Sequence, residues 1–179
     1  AGKNYLIQHS AGSGKSNSIA WLAHRLTGLH DYEDNKIFQS VIIVTDRRVL
    51  DSQLQSTVYQ FDHVEGVVKK VDKNSGQLRD AINDGVGIII TTLQKFPVIY
   101  KEVDSAKKRF AIIIDEAHSS TSGKDMIAVK NTLGQNEGVE EADAQDAIEN
   151  EIRHHGKPSN VSIFAFTATP KPMTLRLFG

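Results

Sequence analysis

Four β-branched or apolar runs set the narrowest limits on how this chain folds: Ser40–Thr45, Val86–Ile90, Phe110–Ile114 and Val161–Phe166. Each is continuous rather than alternating, the pattern of a strand covered on both faces. Between them lie stretches with helical spacing. Ile19, Leu22, Ala23 and Leu26 mark one buried stripe, and Leu50, Leu54, Val58 and Phe61 a second. Ser75-Gly76-Gln77 opens a shorter helix carrying Leu78 and Ile82, and Gly66–Val71 reads as a weaker strand. Strands alternating with helices predict right-handed βαβ units: an α/β domain built on a mostly parallel sheet with helices on both faces.

Ligands of such sheets bind at the carboxyl ends of the strands. There the polar residues of this chain collect: Asp46-Arg47-Arg48 after one run, Thr91-Thr92-Leu93-Gln94 after another, then Asp115-Glu116-Ala117-His118 and Thr167-Ala168-Thr169. The first short run, Tyr5-Leu6-Ile7, leads into Gln8-His9-Ser10-Ala11-Gly12-Ser13-Gly14-Lys15-Ser16 and then a helix. A glycine-rich turn at a strand-to-helix junction is the context of a phosphate-binding loop. Gly12 and Gly14 let the backbone curl until successive N–H groups face phosphate oxygens, and the helix N-terminus adds partial positive charge. Lys15 supplies a point charge for the β- and γ-phosphates, and the Ser16 hydroxyl is placed to ligate Mg²⁺. His9 stands where the usual pattern has its first glycine, the position least demanding for close phosphate approach.

Asp115 and Glu116 close an apolar run. After a phosphate loop in the same sheet, the first carboxylate suits Mg²⁺ held through water and the second suits proton abstraction from the water that attacks a γ-phosphate.

Gly12-Ser13-Gly14-Lys15-Ser16, Asp115-Glu116-Ala117-His118 and Thr167-Ala168-Thr169, in this order, resemble motifs I, II and III of superfamily-two helicases and translocases, with a DEAH box as motif II. The wider strings IQHSAGSGKS, VTDRRVLDSQL, TTLQKF, DEAHSS and FTATP are similar to the R (motor) subunit of type I restriction enzymes, an ATP-driven translocase on double-stranded DNA. The resemblance implies a RecA-like P-loop NTPase domain across residues 1–179, the first motor domain of a larger protein. The segment 119–160 stands outside the resemblance: with no clear strand, and with helical spacing at Met126, Val129 and Leu133 and at Ala142, Ile148 and Ile152, it reads as an acidic helical insertion. The resemblance also implies ATP and Mg²⁺, with Lys15 and Glu116 catalytic, Gly12, Ser13, Gly14, Lys15 and Ser16 on the nucleotide, and Ser16 and Asp115 on the metal. His118, Thr167 and Thr169 would couple hydrolysis to movement, while Arg47, Arg48, Thr91, Thr92 and Gln94 would touch the DNA backbone. The strand bearing Thr167 is expected between those leading to Lys15 and Asp115. Implied partners are a second RecA-like domain and a nuclease domain of the same polypeptide, and methylation and specificity subunits, in a prokaryotic cytoplasm. A DEAH-type RNA helicase domain and a nucleotide-dependent binding module are the other readings; the presence of a base beside the metal carboxylate argues against a pure switch.

The remaining features are less directive. With 21 basic and 22 acidic residues among 179, bulk charge announces no nucleic-acid partner. There is no cysteine, which excludes a disulfide framework, and no apolar run long enough to span a bilayer. The acidic residues between Glu137 and Glu151 read as a solvated face, with partner recognition the alternative. Trp21 is expected to be a packing residue, His154-His155 a solvated pair, and Lys107-Lys108-Arg109 a surface run open to either DNA or water. Because the chain begins abruptly before its first strand and ends soon after Thr169, these residues are expected to be a piece of a larger protein. Lacking an arginine finger, the piece alone is expected to hydrolyse ATP scarcely at all.

Overall fold

The computed structural model describes residues 2–10, 12–45, 52–61, 67–71, 73–95, 108–117, 132–133, 160–172 and 174–175. In chain order the elements are β1 (Asn4–Gln8), α1 (Lys15–Thr27), β2 (Ser40–Thr45), α2 (Ser52–Gln60), β3 (Val68–Lys70), α3 (Ser75–Asn83), β4 (Ile88–Thr92), a 3-10 turn (Leu93–Lys95), β5 (Phe110–Ile114) and β6 (Val161–Thr167). The six strands form one sheet in the order β1-β6-β5-β2-β4-β3, every pairing parallel. β6, last in sequence, is inserted between β1 and β5 as expected.

The solid apolar runs are explained by a core on each side of the sheet. Ile42, Val44, Ile89, Ile112 and Ile114 meet Leu78, Ala81 and Ile82 of α3 on one face. Val41, Ile43, Ile88, Ile90 and Ile113 meet Ile19, Ala20, Ala23 and Leu26 of α1 and Leu54 and Val58 of α2 on the other. β2 and β5 therefore have no water-facing side. Ile43 is fully buried in the middle of β2. Its replacement by alanine is expected to lower unfolding free energy by about 2–5 kcal/mol, read from the urea midpoint of the purified protein.

Edge strands look different. β1 is only partly covered, and Tyr5 is exposed on it, its ring stacked on its register partner Phe164 with centroids 4.9 Å apart. At the other edge β3 has three residues. Asn160 locks the entry of β6 to that of β5: its backbone oxygen accepts from Phe110 N–H at 2.8 Å, and its side-chain amide donates to the carbonyls of Leu133 (2.6 Å) and Lys108 (3.1 Å).

Trp21 departs from expectation. It lies off the buried stripe with 56% of its surface exposed, and what it touches is the Arg25 guanidinium, 5.5 Å above its ring one helical turn later. Of the basic run, Lys108 donates to the Asn83 carbonyl (3.1 Å) and Arg109 to that of Lys36 (3.1 Å). Both precede β5, at the sheet edge opposite the strand tips, so this pair does not extend the row of polar residues there. Phe61 is more exposed than its place in the α2 stripe suggests. Leu50, Lys107, His154, His155 and the acidic stretch from Glu137 to Glu151 lie outside the described residues, as does nearly all of 119–160.

Beyond α1, Asp31 organises an exposed turn by accepting the N–H groups of Asn35 (2.9 Å) and Glu33 (3.0 Å). The Asn35 amide hydrogen bond is the main reason its carboxyl is held below the usual carboxylate range.

Candidate functional site

Parallel strands bring all their carboxyl ends to one edge, and the register keeps those of β1, β6 and β5 level: Gln8 faces Thr167, and Ile114 faces Ala165. Three sequence-distant segments meet there.

The first is the glycine loop. Ser13 N–H donates to Ser10 C=O at 3.3 Å, closing a turn whose third residue, Gly12, has φ +74°. Gly14 follows at φ 84°, ψ 28°, and α1 starts from it, Ser18 N–H donating to its carbonyl at 3.1 Å. A Cβ at Gly12 would meet nothing within 4 Å, and one at Gly14 only the Asn17 amide at 3.9 Å. The demand for glycine is thus the left-handed backbone and not lack of room. α1 starts from Gly14 with no side-chain cap and has no acidic residue in its first turn, so no carboxylate of that turn competes for its N-terminal amides. By contrast, the Asn74 side chain caps α3 by accepting from Gln77 N–H at 2.9 Å. The uncapped start is where an anion would be held.

The second segment is the tip of β5. Asp115 N–H donates to Val44 C=O at 2.9 Å, tying the tip to β2. Lys15, from the start of α1, places Nζ 3.1 Å from Asp115 Oδ1 and donates also to Glu116 Oε1. Neighbouring side chains on a strand point to opposite faces, so two consecutive carboxylates should not reach one ammonium. Glu116 does so because its backbone has left the strand for the left-handed region, φ +53°, rare for a residue with a Cβ. Such a conformation costs on the order of 1–3 kcal/mol and persists only where its surroundings enforce it. The Lys15 and Asp115 side chains are mostly covered, at 16% and 13% exposure, and Glu116 is open at 37%.

The third segment is the end of β6. Thr167 is fully buried, and its carbonyl accepts from His9 N–H at 2.9 Å, so the strand between β1 and β5 also holds the root of the loop. Thr169, two residues on, is exposed.

The structure therefore gathers Gly12, Ser13, Gly14, Lys15, Ser16, Asp115, Glu116 and Thr167 around one point of the edge. Ser16 is half-buried beside Lys15. Thr91 and Thr92 reach the same edge but are buried as the last residues of β4, leaving Gln94 as the exposed member of that trio. Arg47, Arg48 and His118 lie outside the described residues. Sequence reasoning noted His9 only as a replaced glycine and missed Ser18; the imidazole joins two serines, with Ser13 Oγ 2.6 Å from Nδ1 and Ser18 Oγ 3.1 Å from Nε2. The signal available was the histidine in place of a glycine.

A glycine loop opening an uncapped helix, an acidic pair on the next strand but one and this strand order define a P-loop α/β domain of the RecA-like kind. The chain belongs to the SWI2/SNF2 ATPase family, whose sequence model matches residues 1–178. No curated protein matches the sequence. Among solved structures, the UvsW helicase of bacteriophage T4 superposes with a TM-score of 0.58 at 16% identity over 98% of this chain and 51% of its own. A hypothetical ATP-dependent RNA helicase from Sulfolobus tokodaii gives 0.56 at 15% identity, over 98% of this chain and 44% of that one. A nuclease-deletion mutant of the Type ISP restriction-modification enzyme LlaGI, in complex with a DNA substrate mimic, gives 0.52 at 14% identity, over 94% and 16%. At these identities the likeness is one of fold, and the chain spans about half the length of these proteins or less.

Proposed function

We propose that this chain is the first motor domain of an ATP-driven translocase on double-stranded DNA, of the kind found in the R subunit of type I restriction enzymes. The observation that carries the reading is the meeting of Lys15 with Asp115 and Glu116 beside the strand ending in Thr167. A triphosphate at the α1 N-terminus would draw Lys15 Nζ onto its β- and γ-oxygens and release the acidic pair. Glu116, the more open carboxylate, then stands to accept the proton of an attacking water. The Ser16 hydroxyl and the Asp115 carboxylate are hard oxygen donors. Donors of this kind suit Mg²⁺ shared with phosphates and water. When bound, Mg²⁺ neutralises charge developing on the phosphate oxygens.

Thr167 and Thr169 are assigned to coupling, as is His118; Gln94, Arg47, Arg48, Thr91 and Thr92 are assigned to the DNA backbone. Burial makes Gln94 the best placed of the described three. The proposed setting is the prokaryotic cytoplasm, with a second RecA-like domain, a nuclease domain and methylation and specificity subunits as partners. The resemblance to LlaGI, a restriction-modification enzyme whose structure holds a DNA mimic, supports the DNA reading.

The test is ATP turnover of the full-length protein with linear duplex DNA or single-stranded RNA. Duplex DNA is expected to raise turnover by about tenfold or more and RNA to leave it near the basal rate. Stimulation by RNA instead would favour a DEAH-type RNA helicase, and nucleotide binding without turnover on either polymer would favour a binding module.

A further inference from the structure

We infer that His9 is a positioning residue of the glycine loop, bracing its crest against the first turn of α1, and that nucleotide affinity depends on this brace. The inference rests on the nucleotide-binding reading above.

His9 is fixed at several points. Its N–H donates to Thr167 C=O at 2.9 Å, and its ring lies tilted against Phe166 with centroids 6.3 Å apart. Nδ1 meets Ser13 Oγ at 2.6 Å and Nε2 meets Ser18 Oγ at 3.1 Å. One imidazole thus ties the loop crest to α1 and rests against Phe166 of β6, where a glycine would keep only the backbone hydrogen bond to Thr167.

The proton positions follow from counting donors. The Ser13 hydroxyl has one hydrogen, and it goes to Ser10 C=O. Ser13 Oγ must then accept from His9, which assigns the hydrogen to Nδ1. In the neutral imidazole, Nε2 then accepts from the Ser18 hydroxyl. The result is a single-direction chain, Ser18 to His9 to Ser13 to Ser10 C=O, in which each bond polarises the next. Because it starts on α1 and ends at the carbonyl that closes the Ser10–Ser13 turn, it spans the part of the loop that contains Gly12 and Gly14, both at positive φ. Two glycines make this the costliest part of the site to order. A loop held in shape before the ligand arrives loses less of its binding energy to ordering.

The experiment measures equilibrium binding of ADP and of a non-hydrolysable ATP analogue, both with Mg²⁺, to the full-length protein, alongside saturating kcat. His9→Gly installs the ordinary loop residue and is expected to weaken binding about tenfold, or about 1.4 kcal/mol. Ser18→Ala, a milder change that leaves the ring in place, is expected to weaken binding by less. Ser18→Ala added to His9→Gly is expected to change nothing further, since its effect passes through the imidazole. His9→Asn, which keeps an N–H donor near Ser13, should recover part of the loss. Saturating kcat should stay within about threefold of the wild type, as for a group that does not touch the reacting atoms. Wild-type affinity in His9→Gly, additive losses in the double variant, or a fall in kcat at unchanged affinity would each overturn the brace. Lys15→Ala separates the two layers. If the wild type binds and Lys15→Ala does not, while His9→Gly binds normally, the brace alone fails; if the wild type binds no nucleotide, the nucleotide-binding reading fails with it.

Discussion

Glu116→Gln is expected to lower DNA-stimulated ATP turnover by about 10²–10⁴-fold, the usual cost of losing a general base. The amide keeps the length of the side chain and an oxygen that can still accept from Lys15, so the shape of the site survives while the proton acceptor is lost. Nucleotide affinity is therefore expected to remain near that of the wild type. Steady-state turnover and nucleotide binding, measured on the same preparation, check both halves. Turnover above about a tenth of the wild-type rate would move the base elsewhere, Asp115 being the nearest other carboxylate.

Lys15→Ala is expected to act on the other quantity. With Lys15 on the phosphates, as proposed, removing the ammonium takes away a charge-assisted contact, and affinity for Mg²⁺–ADP should fall by about 10–100-fold, as titration calorimetry would report. The same substitution removes the ammonium that lies against both Asp115 and Glu116. With Glu116 more than a third exposed, the stability change is expected to stay within about 1 kcal/mol. Affinity within about threefold of the wild type would mean that Lys15 belongs to the carboxylates rather than to a phosphate.

Much of this architecture was legible because its central strands are buried on both faces, a condition that writes itself into sequence as unbroken β-branched runs. β2, β4 and β5 fall within a residue or two of their expected bounds, and the helical stripes of α1 and α3 are where their spacing puts them. The placement of β6 between β1 and β5 came from the motif resemblance and is borne out. The rest depends on contacts that no local pattern encodes. Nothing about glutamate signals the left-handed turn at Glu116, and only the converging positions of Lys15 and Asp115 show what it achieves. His9 reads as a tolerated exception until Ser13, Ser18 and Phe166 are seen around its ring. Trp21 could be placed off the buried stripe but not against Arg25. Thr91 and Thr92 read as polar residues following the strand, whereas their β-branched side chains complete its buried end.

The chain leaves the sheet at Ile114 and re-enters at Val161, where β6 zips to β5 along five consecutive register pairs. Both anchor points are set by the ladder and by Asn160, whose side chain also holds Leu133, a buried residue of the intervening segment. Closing a longer detour between fixed points is cheap, each doubling of length adding only about 0.6 kcal/mol. Provided the Leu133 anchor is kept, evolution could therefore change the length of the connection after Asp115-Glu116 at little cost in chain closure, a natural berth for whatever distinguishes one such ATPase from another.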